Sequence, residues 1–76
     1  MARKDTFGER LNRLLYEQGL SQVELDRRTG IGRANISRYV CNKQMPTVDS
    51  LIAICKTLNV SADWLLCLSD RKERDT

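Results

Sequence analysis

The stretch LSQVELDRRTGIGRANISRYV, residues 20–40, carries two helix starts and one glycine stop within very little chain. Ser21 followed by Glu24 is a capping box, and Leu20 with Leu25 has the spacing of a hydrophobic staple around it. Gly30 can take the left-handed conformation that closes a helix after about two turns. Ile31 and Ile36 then offer a second staple around a start at Gly32. The sequence therefore predicts one helix ending near Thr29 and another running to about Val40, joined by a three-residue turn. So short a turn sets the two helices steeply across each other, which constrains everything packed around them.

The same punctuation recurs on both sides. Thr6 with Glu9 is a capping box, Phe7, Leu11, Leu14 and Leu15 share one helical face, and Gly19 is a stop, which predicts a first helix over about 7–18. Asn42 tolerates the left-handed region and closes the third helix. After a loop through Pro46, Thr47 caps a fourth helix with the stripe Leu51, Ile54, Cys55 and Leu58, which Asn59 ends. Ser61 caps a last helix containing Trp64, Leu65 and Leu68, with Val60 and Leu65 as its staple. No strand-like alternation of useful length appears. The expectation is an all-α, compact five-helix fold, with an N-terminal arm over 1–6, one domain over 7–68 and a frayed, charged C-terminal tail over 69–76.

With 76 residues the chain can hold one small core, and with one Trp, two Tyr and one Phe that core must be mostly aliphatic. No apolar run approaches the roughly 20 residues of a bilayer span, and the N-terminus lacks the apolar stretch of a signal peptide. A cytoplasmic protein without membrane contact is expected. Cys41, Cys55 and Cys67 are widely separated, with no CxxC spacing and no His in the sequence, so they read as reduced thiols rather than metal ligands. Without His, a phosphate-cradling glycine loop or carboxylates paired on an evident cleft, an enzyme is hard to build. No cofactor and no small-molecule ligand are expected.

The net charge of +3 is unevenly spread: residues 1–45 hold nine bases and five acids, residues 46–76 four bases and five acids. From Arg27 to Lys43 there are five bases and no acid, which points to a polyanionic partner on that side rather than a merely solvated face.

Two helices in this arrangement form a helix-turn-helix, a device that braces one helix on the backbone of DNA and presents the second to the major groove. At about 100° per residue, Ile36, Tyr39 and Val40 fall on the inner side of the second helix. Ala34, Ser37, Arg38 and Cys41 fall outward, with Arg33 at the edge. Arg33 and Arg38 can each donate a bidentate pair to guanine, Ala34 can meet a thymine methyl, and Ser37 can donate or accept. Ser21 and Gln22 stand where backbone N–H groups at a helix start favour a phosphate, and Asn42, Lys43 and Gln44 leave the helix in a basic loop suited to phosphate contacts.

The segments LSQVELDRRTGI, ISRY and LNVSADWLL at 58–66 make the chain, from Phe7 to Leu68, resemble the Cro and phage-repressor type of helix-turn-helix domain, the XRE family. The resemblance implies a lambda-repressor-like fold with helices 2 and 3 as the motif, double-stranded operator DNA as partner and Gln22 near the phosphate backbone. It also implies a homodimer on a near-palindromic site, with contact around the last helix, where Trp64 and Leu66 lie. Two departures stand out. Val40-Cys41-Asn42 replaces the Glu-Asn-Gly often found after the recognition helix, so a phosphate contact from that Asn does not carry over to Cys41. Gly32 replaces the usual Ser or Thr cap. The expected function is a sequence-specific transcriptional regulator, a repressor in first place; the rival is an antitoxin or adaptor that uses the same fold to bind a protein, against which Arg33, Ser37 and Arg38 argue.

Overall fold

The structure is a computed structural model describing residues 5–73; residues 1–4 of the expected arm and 74–76 of the expected tail lie outside the described residues. Five α-helices succeed one another: α1 Phe7–Glu17, α2 Gln22–Thr29, α3 Arg33–Val40, α4 Val48–Leu58 and α5 Ala62–Leu65. Among the described residues there is no strand.

Local chemistry sets most of the boundaries. Thr6 Oγ1 accepts from the Glu9 N–H at 3.2 Å while Glu9 Oε1 accepts from the Thr6 N–H at 3.1 Å, so the first capping box is complete. At the other end of α1, Gly19 has φ +67° and its N–H donates to Tyr16 O, while the Leu20 N–H donates to Leu15 O. These are the two bonds of a Schellman motif. Asn42, at φ +61°, closes α3 in the same way through Asn42 N–H to Tyr39 O and Lys43 N–H to Arg38 O. Thr47 caps α4 and Asn59 ends it at φ +56°.

Two local expectations are corrected. Ser21 accepts from the Glu24 N–H, but the Glu24 carboxylate turns to Arg27 at 3.2 Å and Arg28 at 3.8 Å instead of back to the cap, so only half of that box forms. The last helix also stops early. Cys67 adopts φ +66°, with Cys67 N–H donating to Trp64 O and Leu68 N–H to Asp63 O, so a Schellman turn ends α5 and leaves Leu68 75% exposed. Cys67 is accordingly a half-buried turn residue, while Cys55, in the apolar stripe of α4, is buried.

Each helix sends one wholly buried aliphatic side chain to the centre: Leu11, Leu25, Ile36, Ile54 and Leu65 are all 0% exposed. Burying a side chain of this kind contributes about 1.5–3 kcal/mol, so each is a sizeable contribution in a core this small. Phe7 meets Tyr39 edge to face at 6.3 Å between centroids, joining α1 to α3. Gly8 lies beneath that contact, its N–H donating to Asn42 Oδ1 at 2.9 Å.

Arg10 is the charged member of the interior, 2% exposed. Its guanidinium lies 4.7 Å from the Trp64 ring centroid, and its Nη1 donates to the carbonyls of Trp64 and Ser69. Nε stands 3.4 Å from Asp5 Oδ2 without a hydrogen bond, and Nη2 is 3.8 Å from Asp70. The segment after α5 is thereby drawn onto the domain. Ser61 N–H donates to Lys72 O at 2.9 Å, and Lys72 Nζ reaches Glu17 at 3.0 Å and lies 5.3 Å from the Trp64 ring. Residues 69–72 thus pack back onto α1 and α5, where a frayed tail was expected.

Candidate nucleic-acid interface

The turn between α2 and α3 is held from both sides. Gly30 takes φ +72° and Gly32 φ +108°, a path that residues with a Cβ rarely follow. Gly32 lacks a capping side chain, as its composition dictates, yet its own N–H is bound by Asp26 Oδ1 at 2.9 Å. Thr29 Oγ1 donates to Leu25 O and accepts from the Ile31 N–H. The side chains of α2 therefore fix where α3 begins, and α1 packs against α3 through Phe7 and Gly8.

The division of α3 into two faces agrees with the helical wheel. Ile36 and Tyr39 are buried and Val40 is half-buried, while Arg33, Ala34, Ser37, Arg38 and Cys41 are exposed. The four residues named for base reading thus share one outward surface, and the α3–α4 loop brings exposed Asn42, Lys43 and Gln44 beside its C-terminal end. Ser21 and half-buried Gln22 open α2 and line a groove with Asn12, Arg13 and Tyr16 of α1. Of the phosphate candidates, Asn42 has its side-chain oxygen engaged by Gly8, so its amide N–H₂ is the part left for an anion.

The basic run is smaller in charge than its composition suggests. Arg27 and Arg28 both pair with Glu24, which stands just upstream of the acid-free segment. Arg33, Arg38 and Lys43 have no carboxylate within ion-pair distance among the described residues, so the unneutralised charge concentrates on α3 and the loop after it. Asn35, a half-buried residue that the sequence reading passed over, ties these elements together. Its Nδ2 donates to Ile31 O at 3.1 Å, and its Oδ1 accepts from Arg38 Nη1 at 3.4 Å and from Gln44 Nε2 at 3.3 Å. A polar residue on the edge of an otherwise outward face gives no sequence signal for such a role.

Trp64 lies in the core at 6% exposure, beneath Arg10 and Lys72. Of the two residues named for a dimer contact, Trp64 is buried and Leu66 half-buried, and Leu68, two residues on, is exposed. Among the described residues no group of His, Cys, Asp and Glu side chains could hold a metal ion, and no helix is long and apolar enough to cross a membrane.

Five helices packed around one centre, with α2 and α3 set by a tight glycine turn and α3 cationic on its outer side, define a helix-turn-helix domain of the phage-repressor type. The helix-turn-helix family model matches residues 11–65, and the chain belongs to that family, in its XRE-type branch. It is 33% identical to the HTH-type transcriptional regulator ImmR of Bacillus subtilis (strain 168) over 61 residues, 80% of this chain and 48% of that protein. It is 38% identical to the HTH-type transcriptional regulator for conjugative element SXT of Vibrio cholerae over 60 residues, 79% of this chain and 27% of that protein. The chain thus spans less than half the length of these relatives. In structure it is similar to the P22 c2 repressor bound to a synthetic operator, with TM-score 0.82 and 26% identity over 87% of this chain and 100% of that one. It is also similar to the biofilm regulator SinR in complex with DNA, with TM-score 0.75 and 29% identity over 80% of this chain and 98% of that one.

Proposed function

We propose that this chain is a sequence-specific DNA-binding unit of a transcriptional regulator, a repressor that reads the major groove of double-stranded operator DNA through α3. The observation that carries the reading is the outer face of α3. Arg33 and Arg38 project from a short helix locked in place by α1 and α2, and among the described residues no carboxylate neutralises them. Arginines so placed can pair bidentately with guanine, while Ala34 and Ser37 between them leave room for the helix to approach base edges. Ser21, Gln22, Asn42, Lys43 and Gln44 flank that helix and bind phosphates, which fixes its register on the duplex. The similar P22 c2 repressor is bound to a synthetic operator and the similar SinR to DNA, which supports the same partner.

The operator is near-palindromic and is bound by a homodimer. Recognition helices on successive half-sites lie roughly 34 Å apart, close to the longest dimension of the domain, 35 Å, so copies aligned along that axis come into contact. The apolar corner of Leu66 and Leu68 is the surface on which they join. One half-site offers so small a domain little specific affinity, which makes pairing necessary for occupancy.

Selection of bound duplexes from a random pool, followed by titration against scrambled DNA at two salt concentrations, tests the reading. Enrichment of an inverted repeat bound far more tightly than scrambled sequence supports it. Salt-sensitive binding without enrichment overturns it, because phosphate contacts alone carry no sequence information, and brings forward a protein partner.

A further inference from the structure

We propose that Asn35 is a positioning residue for sequence reading: it holds the Arg38 guanidinium and the Gln44 amide at one oxygen, so that the base-reading side chain and the phosphate-binding loop are set together. The inference rests on the reading of α3 as a DNA reader and deepens it.

Asn35 differs from its neighbours on α3 in being half-buried, and three hydrogen bonds use its side chain. The donor, Nδ2, is anchored to the Ile31 carbonyl in the turn before α3, which fixes the rotation of the amide. That leaves Oδ1 pointing toward the C-terminal part of the helix. There it receives Arg38 Nη1 from one turn along α3 and Gln44 Nε2 from beyond the helix end. An amide oxygen with two lone pairs can satisfy both donors at once.

The consequence concerns entropy. An exposed arginine loses several rotamers when it pairs with a base, and that ordering offsets part of the pairing energy. Arg38 tethered to Asn35 has been ordered in advance by the fold. Because only one Nη1 proton is engaged, the rest of the guanidinium keeps donors for a guanine edge. Gln44 on the same oxygen restrains the loop of Asn42, Lys43 and Gln44 relative to that guanidinium, so the phosphate contacts and the base contact come into register as a unit.

The test is a base-substitution panel: every base pair of the selected duplex is varied singly, and affinities are measured for the full chain and for Asn35→Ala, Asn35→Leu, Gln44→Ala and Arg38→Ala. Asn35→Leu preserves side-chain length and favours helix, guarding against loss of α3; unfolding midpoints accompany each variant. Both Asn35 variants are expected to flatten the preference at the one base pair that Arg38→Ala flattens, by about three- to tenfold, as the loss of one rotamer restraint predicts. Other positions keep their preferences. Adding Asn35→Leu to Arg38→Ala causes no further flattening there, and Gln44→Ala lowers affinity for every duplex alike. If the Asn35 variants lose affinity uniformly, or flatten positions unrelated to Arg38, Asn35 is only a structural tie and the proposal is overturned while the DNA-reading function stands. If the unaltered chain itself shows no base preference, the functional reading fails and the proposal falls with it.

Discussion

The backbone of Gly8 in α1 abuts the Val40 carbonyl at the end of α3 so closely that a Cβ on residue 8 would stand 2.4 Å from that oxygen. Tyr39 O would be at 2.6 Å and Asn42 Oδ1 at 2.8 Å. Two of the three obstacles are main-chain atoms of the helix end, which cannot rotate aside. Gly8→Ala is therefore expected to destabilise the fold although alanine is the better helix former. The propensity gain is at most about 1 kcal/mol, whereas forcing a methyl group into a closed contact costs about 1–3 kcal/mol and here also breaks the bond to Asn42. A urea titration of the variant measures the balance; equal or greater stability would mean that α1 and α3 separate without cost.

Removal of Arg10 is expected to be more damaging than removal of any exposed base. Arg10→Met retains much of the volume over Trp64 but leaves the carbonyls of Trp64 and Ser69 without their donor and Asp5 without one of its two cations. A buried acceptor left without its donor costs about 1–3 kcal/mol, and the carbonyls of Trp64 and Ser69 both lose theirs. Chemical denaturation measures the loss, and hydrogen exchange should show residues 61–72 losing protection first, since the Arg10 bonds draw that segment down.

These two sites mark where the sequence stopped being legible. Thr6, Ser21, Thr47 and Ser61 as caps, and Gly19, Gly30, Asn42 and Asn59 as stops, act on atoms a few residues away, so their positions foretold the five helices. The outward face of α3 followed from helical period alone. Gly8 matters because of a carbonyl more than 30 residues on, and Arg10 because α5 returns over α1. A lone glycine at a helix start and one arginine among many carry no local mark of either fact. The shortfall at Leu68 has the same origin: the pattern after Ser61 continues to look helical, but Cys67 turns left-handed as the chain heads for Arg10.

Asp5 should make acid stability depend on its ion pairs. The Arg13 hydrogen bond, with the charges of Arg13 and Arg10, holds its carboxyl below the ordinary value of 3.8 against a smaller opposing effect of burial. A carboxyl whose folded pKa is depressed stabilises the fold fully above its unfolded pKa, and the contribution disappears as pH falls through the folded one. The stability difference between the unaltered chain and Asp5→Asn is therefore expected to be constant from neutral pH down to about 4 and to shrink below that. Unfolding midpoints measured over this acid range check it; a difference that does not change with pH would mean that Asp5 acts only through packing.

Arg38 and Lys43 are expected to fail in different ways, and the contrast tests the division between reading and holding. Arg38 lies on the outer face of α3, whereas Lys43 follows the Asn42 turn, where its N–H closes α3 on the Arg38 carbonyl and its side chain is exposed. Arg38→Ala should lower affinity for the selected duplex by about 1–3 kcal/mol and relax one base pair, because a bidentate pair to a base edge is lost. Lys43→Ala should weaken cognate and scrambled DNA alike and reduce the slope of log affinity against log salt by about 1, because one phosphate contact and its released counterion are lost. If Arg38→Ala instead costs both duplexes the same affinity and lowers the salt slope, Arg38 binds a phosphate, and base reading on α3 passes to Arg33 and its neighbours at the start of the helix.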